Sequence, residues 1–295
     1  MTSHLAAICE SLGIERDYRD AWGNLRVVPD ATIERLASAL QKERHASSAR
    51  ETSQAASQHC FQPTWSRQNE RFWGVAVQLY GLRSKSNWGI GDFSDLQRLL
   101  TLVGEAGGDF VTVNPLHAMF ACAPEWISPY SPSSREFLNA LYIDATAMRS
   151  YAASSKAQAL ANSTLFVSAR EALRNSERVD YEGVVACKNL VFRAAFDDLI
   201  ESRAAHPSNP IASEFESFCR DRGEPLRRFA VYQALSCQET FGPDWRRWPE
   251  EFRDPGGRAV TTFAEQNARE VDYHLFLQWE ADAQLSRCAR IARAC

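Results

Sequence analysis

The chain has 295 residues, enough for one large or two modest domains, and its 45% hydrophobic and 24% charged content is that of a folded protein. Its 33 basic and 37 acidic residues leave a net charge of −4, with no basic excess to suit a nucleic-acid backbone, so no nucleic-acid partner is expected. No apolar run approaches the about 18–20 residues of a membrane-spanning helix. Met1 to Ile8 also lacks the basic flank and apolar core of a secretion signal, which points to a cytoplasmic location and no membrane partner.

In chain order, residues 1–43 read as a small helical unit. Leu5, Ile8 and Leu12 recur at helical spacing, as do Ile33, Leu36 and Leu40, and Pro29-Asp30 opens the second helix. Residues 44–72 read as a linker; the stretch 44–60 is small and polar with no apolar periodicity. A strand is expected over 75–80 in GVAVQLYG. Asp92, with Asp95 three residues on, then caps a helix carrying Phe93, Leu96, Leu99, Leu100 and Val103, which Gly107-Gly108 ends. A second strand follows over 110–114. Strand, helix and strand within some 40 residues make a βαβ unit with parallel strands, and their apolar content reads as burial on both faces. From 150 onward the pattern is helical, with candidates at 184–203, 211–222, 225–240 and 262–294. Gly223, Pro225, Gly242 and Pro243 are the natural breaks.

Few motifs carry chemistry by themselves. Gly89-Ile90-Gly91 lacks the third glycine of a dinucleotide loop, Ser94 standing in that place, so a tight βα loop is expected rather than a cofactor site. The eight cysteines contain no C-x-x-C pair, which argues against a metal site or a redox dithiol. No G-x-S-x-G nucleophile elbow occurs. Asp197-Asp198 and Glu250-Glu251 read as solvated charges, and Phe241, Trp245, Trp248 and Phe252 as packing around an irregular connection. His117 follows the second strand, either as a hydrogen-bonded structural group or as a site residue. Ser128 to Ser134, SPYSPSS, is either an ordinary turn-rich loop or a loop whose Tyr130 offers a flat face to a sugar ring.

Longer strings are more specific. WGVAVQLYGLRS from Trp73, NWGIGDF from Asn87, NPLHA from Asn114, SPYSPSSREFLNALYID from Ser128 and FLQWEADAQL from Phe276 occur in order, after YRDAWGN at Tyr18. Over about residues 5–290 the chain resembles the 4-α-glucanotransferases, or amylomaltases, of glycoside hydrolase family 77, in their bacterial long form. The resemblance implies an α/β fold, the N-terminal portion of a (β/α)8 barrel over 73–295. A large helical insertion at about 150–260 and a small helical N-terminal unit complete it. It implies a transferase of carbohydrate metabolism that moves a segment of an α-1,4-glucan to another glucan or glucose by a retaining mechanism, with a maltooligosaccharide or α-glucan as substrate and no cofactor or metal.

Tyr130, Ser128 and His117 are the implied substrate-binding residues, with Asn139 and Asp144 framing them. No catalytic residue carries over, because the family's Asp-His-Phe, Glu-Asp-Leu-Gly and His-Asp strings are absent. The carboxylates are expected beyond Cys295, and the alternative expectation is a catalytically inactive fragment with weak glucan binding.

Overall fold

The computed structural model describes residues 2–20, 23–48, 71–206 and 208–294. They fall into two units, Met1–Glu70 and Arg71–Cys295. In the first, helix α1 (Thr2–Leu12) and helix α2 (Asp30–Ser48) close a small core of Leu5, Cys9 and Ile33, with Ile14 and Val28 at its edge. Between them lies an antiparallel hairpin, β1 (Asp17–Arg19) with β2 (Leu25–Val27), which the sequence did not announce. Both strands are exposed throughout, so no apolar alternation marks them. Helix α2 runs through Ser48, past the expected linker start at 44, since no glycine or proline interrupts it. Residues 49–70 of that expected linker lie outside the described residues.

The second unit opens with the expected βαβ element. Strand β3 (Gly74–Val77) pairs in parallel with β4 (Phe110–Val113), Gly74 opposite Phe110 and Val77 opposite Val113. Helix α3 (Phe93–Glu105) connects them. Asp92 accepts from the Ser94 and Asp95 amides, while Asp95 accepts from the Asp92 amide, a complete capping box. Gly107 then turns the chain out at φ +77°.

Two expectations need correction here. Strand β3 stops at Val77 rather than 80, because the Leu79 amide bonds the Asn114 side chain at 2.7 Å and residues 79–81 coil into a short 3₁₀ turn. The strands are also not buried on both faces. Phe110 is 43% exposed, and β4 alternates exposed and half-buried residues, because among the described residues the sheet has only two strands.

The loop from β3 to α3 is as tight as the glycines suggested. A Cβ on Gly91 would meet Leu79 O at 1.9 Å. A short antiparallel hairpin follows β4: β5 (His117–Ala118) and β6 (Ser134–Leu138), with a bulge at its start. The rest is helical: α4 (Arg149–Ala153), α5 (Ser155–Ala161), α6 (Thr164–Asn175), α7 (Tyr181–Ala205), α8 (Pro210–Ser236), α9 (Arg258–Gln266) and α10 (Ala268–Ala294).

Helix α8 joins two of the expected helices across Gly223, which breaks the helical path at φ +62°. It ends at Ser236, not 240. The long last candidate is two helices, since Asn267 leaves helical geometry between α9 and α10.

Helix α10 is the axis of the unit. Rather than one apolar face, the whole run Tyr273 to Ala281 is buried, on every side of the helix. Phe276 lies amid Phe196, Phe215, Tyr273 and Trp279, with ring centroids 5.4–6.4 Å apart. Among the described residues no helix is long and apolar enough to cross a membrane.

Candidate functional site

The 15 residues between β5 and β6 form the most elaborate surface feature of the second unit. Tight turns organise them: the amides of Ala123, Trp126 and Ser131 donate to the carbonyls of Phe120, Ala123 and Ser128 at 3.0–3.2 Å. Ser133 closes the base, its amide 2.9 Å from Ala118 O and its hydroxyl 2.9 Å from Met119 O. From α8, Gln233 donates to Met119 O at 3.1 Å and accepts from the Ala121 amide at 3.3 Å. So anchored, the loop turns apolar groups outward: Trp126 is 47%, Ile127 49% and Tyr130 70% exposed. Phe120 packs edge-on against Trp126, with centroids 5.0 Å apart.

Beneath the loop is a cavity of about 90 Å³, room for a few ordered waters. Its walls are the loop, residues 138–142 and helices α7, α8 and α10. Asn139, Asn189, Gln233, His274 and Gln278 present polar groups to it, and no carboxylate lines it. Burial holds His274 below the ordinary histidine pKa, against the raising effect of Glu270.

Beyond β5, which pairs with β6 through Leu138, the backbone framing this cavity has no further strand beside it among the described residues, and side chains take that role. Gln278 donates to Leu138 O at 2.8 Å and accepts from the Leu138 amide at 2.9 Å. Gln284, nearly two turns further along α10, does the same for Asp144, with both bonds at 2.9 Å. A primary amide offers an N–H donor and a C=O acceptor side by side, so each glutamine pairs with the amide and carbonyl of one residue as a β-ladder neighbour would. Between the two clamped residues, fully buried Lys188 of α7 donates to the carbonyls of Leu141 and Ile143 at 2.6 and 2.7 Å.

Lys188 shares its surroundings with Asp92, Asp95 and Asp144. Burial lowers its pKa, and the three acids oppose that. Burial likewise pushes Asp92 up to about 7 despite Lys188. Lys188, Gln278 and Gln284 show no local sequence signal for these roles, because each acts on a segment some 45 to 140 positions away.

The family model described as 4-alpha-glucanotransferase, of glycoside hydrolase family 77, matches residues 77–295. The chain belongs to the 4-alpha-glucanotransferase family. The 4-alpha-glucanotransferase of Haemophilus influenzae is 32% identical over 235 residues, covering 77% of this chain and 33% of that protein. The Mycobacterium bovis 4-alpha-glucanotransferase is 35% identical over 223 residues, covering 73% of this chain and 29% of its own length. The chain thus spans about a third of the length of the curated relatives it matches.

In fold, the amylomaltase of Corynebacterium glutamicum superposes with a TM-score of 0.57 at 19% identity, covering 100% of this chain and 53% of that one. The amylomaltase of Streptococcus agalactiae in complex with acarbose gives 0.55 at 18%, covering 76% and 41%. The family expectation is therefore met, and the mostly helical α/β architecture is that of amylomaltases.

In this 4-alpha-glucanotransferase relative, the five residues singled out from sequence lie in one stretch but do different things. Tyr130 and Ser128 are exposed on the outer side of the loop. His117 is half-buried in β5, opposite Leu138. Asn139 lines the cavity, its side chain accepting from the Leu141 amide at 3.0 Å. Asp144 is buried outside the cavity, and its carboxylate accepts from Ser94 Oγ at 2.5 Å and from the Thr146 amide and hydroxyl at 2.9 and 2.7 Å.

Of the acids read as solvated charges, Glu250 and Glu251 are exposed, while Asp197 pairs with Arg269, and Asp198 with Lys156 and the Ser154 hydroxyl. The late aromatic cluster packs as expected around Trp248, which is buried, lies against Tyr232 and Phe241, and donates to Gly242 O at 2.9 Å. Trp245 alone faces outward, into a groove of about 350 Å³ beside α8 and α9. Glu280, the acid of the FLQWEADAQL string, is fully buried and accepts from the Ser150 amide and hydroxyl at 3.2 and 2.7 Å.

Proposed function

We propose that this chain contributes the glucan-binding side of a 4-α-glucanotransferase centre, with β3, α3 and β4 as the opening of a (β/α)8 barrel and the helices of about 150–260 inserted in it. One observation carries the reading: Tyr130 is 70% exposed at the tip of a loop whose base is held by Ser133 and Gln233. A flat ring on a stiff support meets a pyranose face with little ordering cost, which is what stacking on sugars needs. Ser128, His117 and Asn139 belong to the same loop and hairpin and give the polar contacts, and Asp144 supports them from below.

The reaction is cleavage of an α-1,4 bond in a maltooligosaccharide and transfer of the released segment to another glucan or glucose. A retaining reaction of this type uses a carboxylate nucleophile and a carboxylic acid about 5–5.5 Å apart. Asn139, Gln233 and Gln278 are amides, and no acid lines the cavity beneath the loop, so the role assigned to these residues is binding and orientation. No metal or organic cofactor enters the scheme, and the setting is the cytoplasm, with no nucleic-acid or membrane partner.

Titration of the 295-residue chain with maltotriose, followed by amide NMR, tests the reading. One tyrosine face contributes about 1 kcal/mol, so binding is expected to be millimolar or weaker, with shifts in residues 117–139 and an affinity about fivefold lower in Tyr130→Ala. Equal shifts in both proteins, or none in the wild type, would remove Tyr130 from a glucan site.

A further inference from the structure

Helix α8 has a recess on each side. Phe229 and Gln233 line the cavity beneath the loop, whereas Arg227, Val231 and Leu235, spaced four apart, line the groove of about 350 Å³ that Trp245 faces. Positions 231 and 233 lie about 200° apart around a helix, so the helix itself divides the two recesses.

The groove is built from two kinds of residue. Its apolar walls are Val231 and Leu235 of α8, Val260 and Ala264 of α9, and the rings of Trp248 and Phe252 between them. Tyr232 stacks on Trp248 with centroids 5.5 Å apart, which fixes the aromatic wall. Trp245, 45% exposed, adds an uncovered indole at the edge. A volume near the lower end of the about 300–1,000 Å³ of ligand pockets suits a body of one or two rings.

The charged residues lining it are unbalanced. Arg227, Arg228 and Arg253 stand against one acid, Glu224, which Arg228 takes at 2.9 Å. Arg253 gives its Nε to Trp248 O at 2.8 Å, which anchors its guanidinium at the aromatic wall. Arg227 has no hydrogen bond or ion pair among the described residues and acts on Asp272 only through space. Three cations against one anion leave a positive surplus at an apolar groove, in a chain whose net charge is −4.

We propose that this groove binds a compact aromatic anion, a body of one or two fused rings carrying one carboxylate or phosphate group, with the rings against Trp245, Trp248 and Phe252 and the anionic group at the arginine rim. A neutral glucan would leave the surplus guanidinium charge unused. A purely apolar ligand would strip water from the arginines without replacing it. A carboxylate or phosphate does replace it, and two parallel hydrogen bonds from one guanidinium fix the direction in which the ligand lies. The groove lies across α8 from the loop, so this binding stands apart from glucan recognition there.

Isothermal titration of the 295-residue chain with 2-naphthoate, 2-naphthyl phosphate and the neutral 2-naphthamide tests this. At least one of the two anions is expected to bind with a Kd of about 0.1–1 mM, and the amide, which has the same rings, about tenfold more weakly. The tighter anion identifies the head group. Raising salt from about 0.05 to 0.5 M should narrow the gap between anion and amide, because the screening length falls about threefold. Trp245→Ala and Arg227→Gln, both at exposed side chains, should each weaken the anion about fivefold with an unchanged circular dichroism spectrum, whereas Tyr130→Ala should leave it alone. Failure of both anions to bind, equal affinities for anion and amide, or binding that survives both groove variants would overturn the proposal. Displacement of the bound anion by maltotriose would overturn it too, by placing glucan in the groove.

Discussion

Replacing Lys188 with methionine preserves length and apolar stem while removing one buried charge, and the structure gives the cost. The ammonium is the hydrogen-bond donor to Leu141 O and Ile143 O and the countercharge to Asp92, Asp95 and Asp144. An orphaned buried carbonyl costs about 1–3 kcal/mol, two are orphaned here, and the buried acids nearby lose their countercharge as well. These overlap, so about 3–5 kcal/mol is expected at pH 8, against a total stability of about 5–15 kcal/mol.

The cost should depend on pH, and the sign follows from Asp92. Burial raises its folded pKa from 3.8 to about 7, so between those values the folded chain holds a proton that the unfolded chain has lost. Stability from this group is complete below about pH 4 and is lost as pH rises through 7. With Lys188 gone, the influence that lowers the Asp92 pKa is gone too, and the window extends upward. At pH 5 Asp92 is protonated and needs no cation, so the expected cost there falls to about 2–3 kcal/mol, from the two carbonyls and the countercharge lost to Asp95 and Asp144. Urea midpoints of wild type and Lys188→Met at pH 5 and 8 measure both numbers. A loss under about 1 kcal/mol at pH 8, or equal losses at the two pH values, would refute the assignment of Lys188 as the charge that holds this segment.

Three further outcomes are expected. Gln284→Leu leaves the Asp144 amide without its partner, while the carbonyl keeps the Ala147 amide at 3.1 Å, and should lower stability by about 1–3 kcal/mol in the same urea assay. Gly91→Ala puts a methyl 1.9 Å from Leu79 O, a backbone atom that cannot swing away, and should cost on the order of 3 kcal/mol, seen as a lower thermal midpoint. Purified chain incubated with maltotriose should release no glucose above a mock preparation, because no carboxylate pair lines the cavity; measurable disproportionation would mean that the acids act from elsewhere.

Local signals determined a good part of this protein. Asp92 and Asp95 announced a helix start because a capping box is written within four residues, and Gly107 and Gly223 marked breaks because backbone conformation at positive φ is a property of single residues. The βαβ unit was legible from β-branched runs bounded by glycines, and the family from long strings such as SPYSPSSREFLNALYID.

The hairpins were not legible. β1 and β2 are exposed, and β5 has two residues, too few for a period of two to register. The all-round burial of α10 was also hidden. Its polar members Gln278, Glu280 and Gln284 carry no local mark of burial, and only packing against residues 138–150 gives them buried partners. The same holds for Lys188, whose partners are the carbonyls of Leu141 and Ile143. Hydrophobic periodicity reports how a segment meets water, whereas a buried amide or ammonium is satisfied by one particular distant group, and that group is chosen only when the tertiary structure brings the two together.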